Sequence, residues 1–91
     1  MDYPELPDGW EFADRITQGM LESFERDFQK RHTEGRSNYR GAIVRAALAS
    51  KWLKRVPSDD IDGADPREIG RVAVALDELY AEMVRIDVNL S

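Results

Sequence analysis

The sequence predicts an all-α fold, a small three-helix domain preceded by an irregular acidic N-terminal arm. Three observations predict it. Apolar residues recur at helical spacing over three separate stretches, residues suited to starting a helix stand at the head of each, and the four prolines fall outside the helix interiors. The 91 residues suit one domain, residues 1–91.

Residues 1–14 form the arm. Pro4 and Pro7 block helix there, and Asp8-Gly9 marks a turn. Trp10 and Phe12 are the residues that would anchor the arm to the body. The first helix is expected over 17–32, with Thr17 as N-cap and Met20, Leu21, Phe24 and Phe28 on one face. Lys30, Arg31 and His32 fall in its last turn, where cations suit the negative helix end. Gly35 and Ser37 mark a short loop.

The second helix is expected over 38–56, capped by Ser37. Tyr39, Ala42, Ile43, Ala46, Ala49, Trp52, Leu53 and Val56 spread its apolar arc over more than half the circumference, which makes it the central helix. Pro57 ends it, because the residue before a proline avoids helical angles. Residues 57–64 follow as an acidic loop. The third helix is expected over 66–86. Asp65-Pro66-Arg67-Glu68 supplies an N-cap acid, a proline at the first helical position and a glutamate at the third, the pattern of a capping box. Ile69, Val72, Ala73, Leu76, Leu79, Tyr80, Met83 and Ile86 then form one stripe, with Arg71, Asp77, Glu78, Glu82 and Arg85 opposite.

Charge is segregated along the chain. Residues 1–14 carry five acids and no base, residues 36–55 six bases and no acid, and residues 56–91 nine acids and three bases. On a helix running to 56, Arg36, Arg40, Lys51, Lys54 and Arg55 gather within about a quarter turn. Arg45 falls on the apolar side and, if buried, would need an acidic partner from a neighbouring helix. The stripe has three readings: internal complementarity to the acidic arm and third helix, a charged protein interface, or a phosphate-binding face. A net charge of −5 and the lack of interleaved aromatics weigh against the last.

Enzyme chemistry finds little support. There is no cysteine, so disulfides, thiolate metal sites and cysteine nucleophiles are excluded. His32 is the single histidine and follows Lys30 and Arg31, a cationic setting hostile to a metal. Aligning Gly63 with the glycine of a calcium loop places Asp60 and Asp62 at ligand positions but leaves Ile69 where the bidentate glutamate belongs. Gly41 and Gly70 stand alone within helices, a pattern of close helix approach rather than of a phosphate loop. No cofactor, no metal and no catalytic residue is expected. No run suits a membrane span, the acidic N-terminus lacks the apolar region of a secretory signal, and the expected location is the cytoplasm.

The segment KWLKRVPSDDIDGADPREIGRVAVALDELYAEMVRI, residues 51–86, ends a helix in an apolar-Pro step, crosses an acidic loop and opens an amphipathic helix with DPREI. Together with the Trp10-Glu11-Phe12 start it resembles the small tail assembly chaperones of long-tailed bacteriophages. That resemblance implies a compact helical protein in the host cytoplasm that keeps a long tape-measure protein soluble until tail-tube subunits displace it. It brings no catalytic residues.

A non-enzymatic protein-binding or assembly protein is therefore expected, taking a helical segment of another protein and open to homo-oligomerisation. Leu48, Trp52 and Val56 are the candidate apolar contact surface. Alternatively, Trp10 and Phe12 of the arm cover those residues. Arg36, Arg40, Lys51, Lys54 and Arg55 are the candidate charged interface. The rival function is a nucleic-acid-associated regulator using the basic second helix.

Overall fold

In the computed structural model, residues 3–33, 39–57 and 61–90 are described, with backbone alone for 85–90. The elements run β1 (Glu11–Phe12), α1 (Gln18–Thr33), α2 (Tyr39–Ala49), β2 (Leu53–Arg55), a 3-10 turn (Ile61–Gly63) and α3 (Pro66–Leu90). The all-α, three-helix class expected from sequence is the observed one, with a two-stranded antiparallel ribbon added at its edge.

The outer helices begin at the caps the sequence marks. Thr17 Oγ1 accepts the Met20 N–H at 3.3 Å, which starts α1. Asp65 Oδ1 accepts the Arg67 N–H at 2.9 Å, which starts α3. The reciprocal capping box expected of Asp65 and Glu68 is not made: Asp65 caps the Arg67 N–H, and Glu68 Oε1 instead accepts the Trp10 indole N–H at 2.6 Å and ties the arm to the first turn of α3. α3 continues to Leu90, past the expected end at 86, through residues that include neither proline nor glycine.

The second helix is shorter than expected. It ends at Ala49, not Val56, and its end is a complete Schellman cap. The Trp52 N–H reaches the Ala47 carbonyl at 2.9 Å and the Lys51 N–H reaches that of Leu48 at 3.2 Å. Ser50 Oγ donates to the Ala46 carbonyl at 2.7 Å. Lys51 takes the left-handed conformation, φ 66°, that such a cap requires. The chain reverses there and leaves as β2.

β2 recruits the arm. Phe12 pairs with Leu53 and Glu11 with Arg55, with an irregularity between them, and the Ala13 N–H donates to the Trp52 carbonyl at 2.7 Å. The arm enters this pairing through a turn closed by Trp10 N–H to Pro7 O at 3.1 Å, with Gly9 at φ 90° in the position that favours glycine. A Cβ on Gly9 would also lie 3.1 Å from Pro57 Cγ.

α2 is central, as its wide apolar arc predicts: Gly41–Val44, Ala46 and Ala47 are buried, and the helix packs on both α1 and α3. Around it lie Leu21 and Phe24 of α1, Val72, Leu76 and Leu79 of α3, and Trp10, Phe12, Trp52 and Leu53 of the arm and ribbon. Among the described residues, no helix is long and apolar enough to cross a membrane.

Candidate functional site

The early end of α2 dissolves the basic stripe. Arg40 remains on the helix and Lys51 sits in the reversing turn, while Lys54 and Arg55 belong to β2. Arg36 lies outside the described residues. Lys54 Nζ meets Asp14 Oδ1 at 2.6 Å, and Arg55 Nε stands 3.6 Å from Glu11 Oε2. The Asp14 carboxylate beside Lys54 holds its amine above the ordinary lysine value through a hydrogen bond and its charge. The acidic arm therefore answers these two bases inside the molecule. Arg45, half-buried, pairs with Asp62 of the 3-10 turn, so its acidic partner comes from a turn rather than from a helix.

The apolar candidates are also spoken for. Trp52 is 0% exposed, so it offers no contact surface. Its ring stacks on Phe24 at 4.3 Å and its indole N–H donates to the Met20 carbonyl at 3.0 Å. Leu48 and Val56 are half-buried against the same core. The arm runs alongside this region through its backbone, Phe12 pairing with Leu53 and Ala13 N–H bonding the Trp52 carbonyl.

Two concave features stand out among the described residues. The larger is an open groove of about 870 Å³ between the arm and α3. The arm contributes Pro4, Glu5, Leu6 and Pro7, and α3 contributes Gly70, Val74 and Ala75 as an apolar floor. Arg40, Arg67, Arg71 and Glu78 stand at its rim. Arg40 lies over Gly70, with Nη1 3.5 Å from where a Cβ would be, an ordinary packing distance. Among the described residues, Arg40 and Arg71 form no ion pair, whereas Arg67 bonds Asp65 at 3.2 Å. The Arg67 N–H first, and that side-chain contact next, hold the Asp65 carboxyl below its ordinary value. Val74 is 58% exposed on this face. Of the groove residues, sequence reading marked Arg40 as interface and missed Val74, which interrupts the polar side of the third helix and was the available signal.

The smaller feature is a cleft of about 300 Å³ where the three helices meet, lined by Phe24, Glu25, Phe28 and His32 of α1, Tyr39 of α2, and Asp77 and Tyr80 of α3, among others. Phe28 stacks on Phe24 and on His32 with interplanar angles of 6° and 16°. Tyr39 stands edge-on to Phe28 at 5.5 Å. The Tyr39 hydroxyl donates to Asp77 Oδ1 and that of Tyr80 to Glu25 Oε2, each at 2.7 Å. These bonds raise both phenols above the ordinary tyrosine value, Tyr80 to about 12. No group of three or more His, Asp or Glu side chains among the described residues converges as a metal site.

The chain gives no match to any family model, to the curated proteins or to the solved structures. The functional reading therefore rests on the residues and geometry above.

Proposed function

We propose that this protein is a non-enzymatic binding and assembly protein that docks an amphipathic helical segment of another protein in the groove between its arm and α3. The observation that carries the reading is an apolar floor with Val74 left 58% exposed beneath two arginines that form no ion pair among the described residues. An incoming helix would bury apolar side chains on Leu6 and Val74 and direct carboxylates to Arg40 and Arg71. The apolar contact supplies affinity, and the charges fix orientation and register. A hydrophobic tape-measure helix held soluble in the host cytoplasm is a partner of this form, in keeping with the resemblance to phage tail assembly chaperones.

A nucleic-acid contact through the basic residues of 36–55 is the weaker reading. Lys54 and Arg55 already face Asp14 and Glu11, and phosphates would have to displace those carboxylates. The test is affinity capture from native lysate, with nuclease, by the wild type and by an Arg40→Gln/Arg71→Gln/Val74→Ser variant. A helical partner retained by the wild type through nuclease and lost by the variant supports the groove. Capture that vanishes with nuclease, or a partner held equally by both forms, overturns it.

A further inference from the structure

Both walls of the cleft at the three-helix junction carry features that the groove does not use. One wall is a run of nearly parallel rings, with Phe24 and Phe28 centroids 6.2 Å apart and Phe28 and His32 centroids 5.6 Å apart. Tyr39 closes the corner at right angles, 87° to Phe28 and 89° to His32, and is 44% exposed. Opposite charge is supplied from two helices. Asp77 and Glu25 each have one oxygen occupied by a tyrosine hydroxyl, through Oδ1 and Oε2 respectively. The other oxygen of each forms no ion pair among the described residues.

We infer that this cleft is a binding site for a guanidinium group, the arginine side chain of a partner protein, held between the aromatic corner and the Asp77 and Glu25 carboxylates. The chemistry selects that occupant. Aromatic faces attract a cation through their quadrupole, and a planar, weakly hydrated guanidinium also stacks on them. Two carboxylates on separate helices suit a head with five N–H donors in a fixed fork better than a compact ammonium. A quaternary ammonium would use the rings and leave the carboxylate oxygens without donors. The cleft, about 300 Å³, lies at the small end of the range for small-molecule sites, room for one side-chain head group and its stem. The tyrosine–carboxylate bonds hold both acids against the rings, so the cleft is set before a ligand arrives. His32 stacks at the edge of the ring wall.

The site is independent of the groove, and its test does not need a native partner. N-acetyl-arginine methylamide, N-acetyl-lysine methylamide and tetramethylammonium chloride are titrated separately into the full chain at constant ionic strength in slightly alkaline buffer. The ring signals of Phe28, Tyr39 and Tyr80 are followed by NMR. The arginine probe should shift these signals saturably and bind about tenfold tighter than the lysine probe, the difference that one additional charge-assisted hydrogen bond makes. Asp77→Asn and Glu25→Gln, each keeping an acceptor for its tyrosine, should each weaken the arginine probe about tenfold while melting temperature changes little. Arg40→Gln should leave it unchanged. The inference is overturned by non-saturable shifts from the arginine probe, by tetramethylammonium binding as tightly as arginine, or by undiminished binding in both carboxamide variants.

Discussion

Trp52 lies flat against Phe24, with centroids 4.3 Å apart and planes 25° apart, while its indole N–H donates to the Met20 carbonyl oxygen at 3.0 Å. One side chain from the start of the ribbon thus fills the centre and satisfies the backbone of a helix 32 residues away in sequence. Its backbone carbonyl receives the arm through Ala13. Trp52→Ala should therefore cost about 3–5 kcal/mol, the range for truncating a buried aromatic. Trp52→Phe should cost less, because it keeps most of the stacking and loses mainly the hydrogen bond, about 1 kcal/mol, together with some packing. Urea unfolding followed by far-ultraviolet circular dichroism separates the two. Equal midpoints for the alanine variant and the wild type would rule out a central role for this ring.

Lys51 holds a left-handed backbone, φ 66°, at the C′ position of the α2 cap. A side chain there meets the carbonyl that follows it, a penalty of about 1–2 kcal/mol from which glycine is exempt. Lys51→Gly should stabilise the fold by about 1 kcal/mol after the larger unfolded-state entropy of glycine is offset. The urea midpoint should rise with its slope unchanged. A lower midpoint would mean that the exposed lysine side chain makes a contact worth more than the backbone penalty.

That same residue explains where sequence reading stopped short. α1 and α3 were legible because Thr17 and Asp65 are good caps and because one stripe of each helix faces the core. The end of α2 was not, since the cap uses lysine where glycine would have signalled it. Trp52, Leu53 and Val56 also continue a 3.6-residue period across the break, and short apolar runs fit helix and strand alike. The error carried into function: a helix extended to 56 collects five bases on one side and puts Trp52 at the surface. The real chain splits the bases between elements and buries the tryptophan. The anchors Trp10 and Phe12 were legible as aromatic residues in a polar arm, and both are buried. Neither concave feature was, because each is assembled from elements far apart in sequence, and Asp77 and Glu78 look alike on a solvent face although one reaches Tyr39 and the other the groove.

Asp65 makes the start of α3 sensitive to acid. Its carboxyl is held below the ordinary value of 3.8 by the Arg67 N–H first and the Arg67 side chain next. A folded-state value below the unfolded one gives stability that is complete above the unfolded value and is lost as pH falls through the folded one. Asp65→Asn keeps a capping oxygen without the titration. The melting temperature of the wild type should exceed that of the variant at neutral pH, and the gap should close below about pH 4. A gap that stays constant into acid would remove the carboxylate as its source.

Tyr80 and Glu25 give the opposite sign at the alkaline end. The hydrogen bond to Glu25, then burial and the charge of Glu25, push the phenol up to about 12 from its ordinary 10.0. The neutral phenol is favoured in the folded protein. Its contribution to stability is complete below pH 10 and disappears as pH rises through the folded value near 12. Tyr39 is raised too, by its hydrogen bond to Asp77 and by burial. Following phenolate absorbance through an alkaline titration should show Tyr39 and Tyr80 ionising above the ordinary 10.0. Glu25→Gln should bring one of them, Tyr80, back towards 10, because an amide oxygen accepts the hydrogen bond without a negative charge to oppose the phenolate. The Tyr39 transition should stay where it was in that variant. If both transitions moved together, the two tyrosine–carboxylate pairs would be one coupled unit rather than two separate bonds fixing the walls of the cleft.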